Sequence, residues 1–408
     1  MVILRAISRF VIGVVFILSG FLKAMDPVGG ALKIGEYLKA FNLDLLDFAS
    51  LPAAVVLACT EFLIGVCVLK GIRMKFFSGA ALAFTSFFTL LTLYSAIFNP
   101  VQDCGCFGEA FHLTNWQTFY KNLVLQACAL IIFFQRFKFR PIAASVWKNI
   151  YITAYSSFIL AIALYALVFQ PQIDFGDFKP GTDIVSEIGE SAELEYESTF
   201  IYSKDGVEQE FTLENLPDST WSFVEARTAL VSGSESNGAS LNFILRNPYG
   251  EDVTQQIITS LQPIFFISIY NPDRLTDNTA NQIAALREEI GGAGGKLYII
   301  NGTSDQLDQL AGPFEILQTD YKTAIALNRS NGGLTYLNDG IIVKKWSANA
   351  YPLTKIEKIL DEDFEILTAN VIMREQIFAE VCLAIVLFMI LIIRFISKKV
   401  YFKYLMQK

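Results

Sequence analysis

Six stretches of the 408-residue sequence are long and apolar enough to cross the hydrocarbon core of a bilayer. A spanning helix needs about 20 consecutive, mostly apolar residues. A composition that is 53% hydrophobic, with 35 Phe, is also far from that of a soluble globular chain. The sequence therefore predicts a polytopic α-helical membrane protein in contact with the lipid bilayer. The six stretches lie at about 4–22, 52–70, 76–98, 116–135, 149–169 and 376–396.

The positions of Lys and Arg predict the orientation of these spans. Basic segments at the N terminus and at 70–75, 135–140 and 394–408 all fall on one side of a six-helix arrangement, and short basic loops stay in the cytoplasm. We therefore expect a bacterial inner-membrane protein with both termini in the cytoplasm and residues 171–374 in the periplasm. The first span is longer than the apolar part of a signal peptide and lacks a cleavage site, so we expect it to be retained.

Charge separates the same two regions. Residues 171–370 contain 31 acidic and 13 basic side chains, a net charge of −18, whereas the rest of the chain has a net charge of +10. An acidic domain on one side and basic fringes on the other fit two different compartments. Nucleic acid is not expected as a partner of the acidic part.

Composition divides the chain into five parts. The first four spans have short connections and are expected to form one bundle over 1–140, and the fifth span, in 141–170, returns the chain outward. A Pro/Gly-containing linker opens a β-rich segment, 171–238, which is followed by an α/β domain, 239–365. The last part, 375–408, holds the sixth span and a basic tail.

Two local patterns refine this division. The stretch GGALKIGEYLKAFNL, 29–43, predicts an amphipathic helix that lies flat in the membrane interface, with an ordinary surface helix as the alternative. Two alternating runs around Asp205-Gly206 predict a β-hairpin. In the α/β domain, strands are predicted in LNFILRN, QPIFFISIY, KLYIING, LTYLNDG and IIVKKW, and helices in ANQIAALREEI, SDQLDQL and LTKIEKIL. This alternation predicts a central sheet covered by helices.

Two of the six cysteines and the only histidine lie in DCGCFGEAFH, residues 103–112, which we name the CGC loop. Cysteines two residues apart reach the Cα separation of a disulfide only in a turn, and Gly105 gives the backbone that freedom. Such a strained disulfide between Cys104 and Cys106 would be easily reduced and exchange-active. A structural turn and a metal site that includes His112 are the other interpretations, and no metal is expected because a zinc site needs more ligands of this kind.

The other four cysteines lie within apolar runs. Cys59 and Cys67 are eight residues apart on one predicted helix, about 12 Å along its axis, so they cannot bond to each other. Small buried thiols of this kind usually pack as apolar side chains. We expect the same of Cys128 and Cys382.

Two charged residues stand out at membrane depth. Glu61 falls near the middle of the second span, where a carboxylate is costly unless it is protonated, paired or in a polar cavity. Lys23 ends the first span, and a contact between the two would satisfy both. The alternative is that Lys23 extends to the membrane interface. With Cys104 and Cys106, these residues form the predicted catalytic set.

The first third of the chain resembles the DoxX/MauE group of four-helix membrane proteins, over about residues 4–140. The resemblance is carried by RFVIGVVFILSGFLKAMDP, by the Glu61 region and by DCGCFG. It implies redox work beside a membrane, since DoxX-type subunits are linked to quinone-dependent sulfur oxidation and MauE-type proteins to maturation of a disulfide-rich periplasmic enzyme. The matching positions are Arg9, Gly13, Phe16, Ser19, Gly20, Lys23, Asp26, Pro27, Glu61, Gly65, Cys104, Gly105, Cys106, Phe107 and Gly108.

The architecture is also similar to that of vitamin K epoxide reductase homologues, in which a four-helix bundle passes electrons between a thioredoxin-like domain and quinone. Residues 240–360 resemble thioredoxin-like folds, in the run leading to QPIFFISIY and in SNGGLTYLNDGIIVKKW. Neither part has the Cys-x-x-Cys pair, and Gly332-Gly333 replaces the expected cis-proline. Because the thiolate is the nucleophile of disulfide exchange, we expect the α/β domain to bind or scaffold.

Two functions are expected from these features. The first is a membrane thiol-redox component in which Cys104 and Cys106 alternate between dithiol and disulfide, with quinone or a thiol protein as exchange partner. The alternative is a non-enzymatic assembly or interaction protein whose cysteine-free domain docks an extracytoplasmic protein partner. A transporter is a distant third, because the internal repeats and broken helices typical of one are not evident.

Overall fold

The computed structural model describes residues 2–101, 105–111, 113–139, 145–192, 195–204, 207–212, 222–232, 243–303, 307, 310 and 313–405. Three sequence predictions fall outside these residues. They concern Cys104 and His112 of the CGC loop, the turn at Asp205-Gly206, and most of the predicted helix at 304–310.

Within the described residues, five helices are long and apolar enough to cross a membrane, and they cover the first five predicted spans. A further helix runs unbroken over 42 residues and covers the sixth predicted span, whose passage through a membrane stays a prediction. The five are α1 (Val2–Met25), α3 (Ser50–Lys70), α4 (Met74–Phe98), α5 (Asn115–Phe134) and α6 (Ser145–Val168), and the long one is α12 (Phe364–Leu405).

Short elements close one end of the bundle. The predicted helix between the first two spans is present as α2 (Pro27–Ala40), followed by a 3-10 segment at Asp44–Ala49. The Asp26 side chain caps α2 by accepting a hydrogen bond from the Gly29 N–H at 2.9 Å. The CGC loop contributes one short strand, β1 (Cys106–Glu109), ahead of α5.

Helices α1 and α3 pack so closely that glycine is needed at their contact. A Cβ atom on Gly20 would lie 2.4 Å from the Phe62 backbone nitrogen, and one on Gly65 would lie 2.7 Å from the Ile17 backbone nitrogen. Small residues let membrane helices approach in this way. The sequence grouped four helices into the bundle, but α6 belongs to the same apolar core through residues such as Tyr155, because its apolar face covers α1 and α3.

The described parts of the basic segments, at the N terminus, 70–75 and 135–140, gather at one end of this bundle. Arg5 and Arg9 lie 5.0 and 5.7 Å from the ring centre of Phe139, and Arg73 donates a hydrogen bond to Asn149 at 2.7 Å. The C-terminal α/β domain contacts the opposite end, where α1 leads into α2. The bundle therefore has one basic end and one end covered by protein.

Two sheets follow the fifth span. The first is antiparallel with strand order β3-β2-β4, formed by β2 (Glu195–Lys204), β3 (Val207–Thr212) and β4 (Ser222–Ser232). The pairing of Lys204 with Val207 confirms the predicted hairpin. A short helix, α7 (Ile184–Ala192), precedes this sheet.

The second sheet is mixed and has the strand order β7-β6-β5-β8-β9. Strands β5, β6 and β7 run parallel, whereas β8 is antiparallel to both β5 and β9. Its strands are β5 (Ile264–Ile269), β6 (Lys296–Asn301), β7 (Glu315–Gln318), β8 (Gly333–Asn338) and β9 (Ile341–Trp346). The helices around it are α8 (Thr254–Ile258), α9 (Asp277–Gly292), α10 (Tyr321–Leu327) and α11 (Ile356–Asp361).

The core of this domain lies on both faces of the mixed sheet. Every residue of β5 is buried, and separate apolar clusters cover the two faces, one of them including α9. This arrangement confirms the predicted central sheet covered by helices. A strand with two covered faces is apolar along most of its length, and in β5 the only polar residue is the buried Ser268.

One strand prediction was wrong. The described part of LNFILRN forms only isolated bridges, from Arg246 to Asp252 and to Gln318. Arg246 and Gln318 exchange backbone hydrogen bonds of 2.9 and 2.8 Å at the end of β7. The segment therefore closes the end of the sheet and does not extend it, while β7 and α10 were not predicted.

Candidate functional site

A buried ion pair lies inside the helical bundle. The Lys23 Nζ atom on α1 is 2.6 Å from the Glu61 Oε2 atom on α3, and the two side chains are only 9% and 7% exposed. The close approach of α1 and α3 brings the pair together, so Lys23 does not extend to the interface. Ion pairs are a common way to accommodate charges at membrane depth. The structure thus shows the contact that the sequence offered as one of two alternatives.

Cys106 is linked to this ion pair through Ser19. Lys23 Nζ donates a hydrogen bond to Ser19 Oγ at 3.2 Å, and Ser19 Oγ donates to the Cys106 carbonyl oxygen at 2.6 Å. A cavity of about 20 Å³ is lined by Lys23, Glu61, Cys106 and Phe107, which is room for about one water molecule. A cysteine of the CGC loop therefore lies over the only pair of opposite charges described inside the bundle.

The CGC loop has the backbone of a tight turn. Gly105 and Gly108 both have positive φ angles, of 59° and 62°, and the Gly108 N–H donates to the Gly105 carbonyl oxygen at 3.0 Å. Side chains strongly disfavour this conformation, so glycine is required. The Lys121 ammonium lies 4.4 Å from the ring centre of Phe107, which places a positive charge close to the loop.

A second ionic cluster joins the bundle to the C-terminal domain. Arg329, which follows α10, is 5% exposed. Its Nε atom lies 3.0 Å from Asp26 Oδ2, at the cap of α2, and its Nη2 atom donates to Glu109 Oε2, at the end of β1. Its Nη1 atom donates to the Ile325 carbonyl oxygen at 3.3 Å. One guanidinium therefore fixes the α/β domain to both short elements at this end of the bundle, α2 and β1.

The linker after α6 completes this cluster. Asp174 Oδ2 lies 2.7 Å from Lys345 Nζ on β9, and both side chains are buried. A Cβ atom on Gly176 would lie 2.9 Å from Glu109 Oε2 and 3.5 Å from Arg329 Nη2. The linker backbone thus packs against the Arg329 contacts. We name the group Asp26, Glu109, Asp174, Arg329 and Lys345 the interdomain cluster.

Burial and charge act in opposite directions within the interdomain cluster. Burial raises the pKa of Glu109, and this effect exceeds the opposing effect of Arg329. Burial also opposes ionisation of Asp174, but Lys345 and Arg329 outweigh it and lower the pKa of Asp174. Burial disfavours the Arg329 cation, yet Asp26, Glu109 and Asp174 raise its pKa. Arg329 is therefore charged at every physiological pH.

The cysteines outside the CGC loop are placed as predicted. Cys67 is 1% exposed within the bundle core, and Cys59 and Cys128 pack against the same core. Cys382 is buried along α12. Each lies within a helix among apolar side chains, the setting of a packing residue.

The sequence located part of this arrangement. It identified Lys23, Glu61 and Cys106, which the structure brings together, while Cys104 lies outside the described residues. It missed the link through Ser19 and the interdomain cluster. Arg329 had no sequence signal, because an arginine after a short helix in a soluble domain is ordinary.

These features define the class of protein. Five apolar helices in one bundle, with an ion pair in their interior, make the chain a multi-pass membrane protein. Residues 1–135, about a third of the chain, match the family model of the methylamine utilisation protein MauE. This match supports a MauE-like membrane family and confirms that part of the sequence resemblance. The likeness to DoxX proteins and to thioredoxin stays a prediction.

The rest of the chain has fewer known counterparts. Residues 196–233, which contain the antiparallel sheet, match a domain of unknown function (DUF8463). Searches of curated proteins and of solved structures gave no match.

Proposed function

We propose that the chain is a membrane-embedded thiol-redox component that exchanges dithiol and disulfide at Cys104 and Cys106. Its exchange partner is quinone or a thiol protein. The observation that supports this function is the position of Cys106, whose backbone carbonyl oxygen is hydrogen-bonded through Ser19 to a buried acid-base pair. A purely structural turn would need no such pair beneath it.

The residues around Cys106 suit this chemistry. Oxidation of the dithiol forms one sulfur-sulfur bond and releases two electrons and two protons, and quinone takes up both to become hydroquinone. Glu61 and Lys23 line the same small cavity as Cys106, and the Glu61 carboxylate can accept a proton that the thiols release, whereas the Lys23 ammonium can only donate one. The Lys121 cation beside the loop would favour the thiolate that starts the exchange.

The proposed location is the bacterial inner membrane, with the CGC loop and residues 171–374 in the periplasm. The gathering of the basic segments at the other end of the bundle supports this orientation. Disulfide exchange at the CGC loop also requires a compartment in which disulfides persist.

A redox titration of intact membranes tests the proposal. Differential alkylation and mass spectrometry across thiol/disulfide buffers should show Cys104 and Cys106 changing together, at a potential more oxidising than about −300 mV. Cys106→Ser should abolish the transition and the function, and the matched control Cys59→Ser should leave both unchanged. Two free thiols at every potential would exclude the redox function.

A second candidate function is favoured by the α/β domain. The order and directions of β5, β6, β8 and β9, with α9 between β5 and β6, support a thioredoxin-like assignment. The end of β5 carries Tyr270 and Asn271 where thiols would be expected, and both backbone N–H groups donate to Asn331 Oδ1, at 3.0 and 2.9 Å. This rigid end without thiols suits binding better than exchange.

In this second function the chain assembles or matures another protein of the cell envelope, and the name of the matching family connects its members with methylamine utilisation. Deletion of residues 171–374 should then abolish function, while Cys106→Ser should leave it intact. The opposite pattern of sensitivity would exclude this candidate in favour of thiol exchange.

A further inference from the structure

A cavity of about 880 Å³ lies between the helical bundle and the C-terminal domain. Helix α2, the start of α3 and Pro100-Val101 form one side, and the ends of β5 and α10 form the other. We name it the interdomain cavity. It is separate from the small cavity beneath Cys106, and the proposed thiol chemistry does not use it.

Basic side chains outnumber acidic ones around this cavity. Four bases line it, Lys33, Lys39, Arg274 and Lys322, together with two acids. One acid, Glu36, already lies 2.6 Å from Lys322 and 3.4 Å from Lys33. The cavity therefore carries two more positive than negative charges.

Two of these bases have no acidic partner. Among the described residues, Lys39 and Arg274 form no ion pair, and both are exposed. They belong to different domains, and Arg274 lies in the region 171–370 whose net charge is −18. A positive site at the border of an acidic domain attracts an anion that the rest of that domain's surface repels.

The edge of the cavity is open and mostly apolar, although it also carries the exposed side chains of Asp44 and Asp47. We name residues 41–48, between α2 and α3, the apolar lip. Leu45 and Phe48 are 88% and 80% exposed, and Leu43 and Leu46 are also exposed. Phe48 lines the cavity as well. In a membrane protein, large exposed apolar side chains next to a span contact acyl chains, and cations beside them contact headgroups.

We propose that the interdomain cavity binds an anionic phospholipid from the adjacent leaflet, with its phosphate near Lys39 and Arg274 and an acyl chain against the apolar lip. The volume of the interdomain cavity and its excess of positive charge fit an anionic headgroup. The adjoining apolar lip fits an acyl chain. A free phosphate would use only the positively charged cavity. An acidic polypeptide would leave the apolar lip exposed.

The test uses the full chain, purified in mild detergent and titrated with dioctanoyl phosphatidylglycerol or dioctanoyl phosphatidylcholine while native mass spectrometry counts bound lipid. Phosphatidylglycerol should bind more tightly. Each surface cation contributes about 1 kcal/mol to the binding of anionic lipid, so the K39Q/R274Q variant should bind it roughly thirty-fold more weakly. The matched control R287Q/K358Q, which removes two charges away from the cavity, should bind as the wild type does.

A second variant fills part of the interdomain cavity and leaves its charge unchanged. Ala31 on α2 lines the cavity, so A31F should also weaken phosphatidylglycerol binding. Equal binding of the two lipids, or unchanged binding by both variants, would overturn the proposal. Equal binding of soluble glycerol phosphate would identify a free-phosphate site, and displacement of the lipid by a short Asp/Glu-rich peptide would identify a polypeptide site. Either of these results would also overturn it.

Discussion

The two buried ionic groups of this protein contrast in their composition and their task. The Lys23–Glu61 pair joins two helices of one bundle, with one base for one acid. The interdomain cluster joins separate parts of the chain, with three carboxylates for two bases and with Arg329 between two acids of the bundle. The first group keeps two charges inside a membrane domain, and the second keeps a domain in place on it.

The two ionic groups should differ in how well they tolerate substitution of their residues. A one-to-one pair can be replaced by two apolar side chains, since neither charge then remains. Arg329 cannot be removed alone, because Asp26 and Glu109 would both stay buried without their cation. We therefore expect the interdomain cluster to be the more sensitive of the two groups.

The largest effect is expected from Arg329→Met. Removing one partner of a buried ionic group costs about 3–5 kcal/mol, which should release the C-terminal domain from the bundle. Hydrogen exchange of α2 and of residues 321–331 should rise strongly. The exposed Arg287→Met is the matched control, and adding Asp26→Asn and Glu109→Gln should restore part of the protection. Unchanged exchange in Arg329→Met would show that the cluster does not hold the domain.

A smaller effect is expected from Lys23→Met. Only one carboxylate, Glu61, then loses its cation, instead of two, so we expect a loss of roughly 2–4 kcal/mol. Thermal unfolding in detergent measures it. The double variant Lys23→Met/Glu61→Leu should recover most of the stability because no charge is left. A double variant as unstable as the single one would mean that packing, and not charge, dominates this site.

The two groups could be predicted from sequence to very different degrees. Lys23 and Glu61 stand out because charges interrupt apolar spans, and their pairing is one of two alternatives that the sequence leaves open. Arg329 bonds to residues 303 and 220 positions away, and no local pattern connects them. The apolar spans and the six-residue strands are distinct enough to recognise, whereas β7 and α10, of four and seven residues, are too short to show a period.

A pair of glycine substitutions compares the packing around the two groups. Gly20→Ala should cost about 1–3 kcal/mol, because the new Cβ would meet backbone atoms of α3 that cannot move aside. Gly176→Ala should cost less, since its nearest neighbours are the ends of the Glu109, Asp174 and Arg329 side chains. Thermal unfolding of both variants checks the order. The reverse order would mean that the interdomain cluster is the more rigid of the two.

The smallest expected effect is a weaker docking of the C-terminal domain at acidic pH. The pKa of Asp174 is lowered by Lys345 and Arg329. The contribution of Asp174 to the stability of domain docking is therefore present above the ordinary aspartate pKa of about 4 and is lost below it. The pKa of Glu109 is raised by burial, so the contribution of Glu109 to docking stability is lost as the pH rises. Acidification from about pH 7 to about pH 5 therefore does not weaken docking through this residue. Hydrogen exchange should therefore increase only below about pH 4.

The matched variant for this dependence is Asp174→Asn, which keeps the size of the side chain and removes its titration. In this variant, hydrogen exchange should already be faster than in the wild type at neutral pH and should change little on further acidification. An acid response identical to that of the wild type would assign the effect to another carboxylate.

The short tether of the C-terminal domain has a consequence for any partner. Asn349 donates a hydrogen bond to the carbonyl oxygen of Val168, the last residue of α6, at 2.6 Å, so the chain reaches the domain as soon as it leaves the bundle. A domain held this closely has an effective concentration in the millimolar range. A soluble protein at micromolar concentration that seeks the same face of the bundle therefore has to compete with an occupant about a thousand times more concentrated.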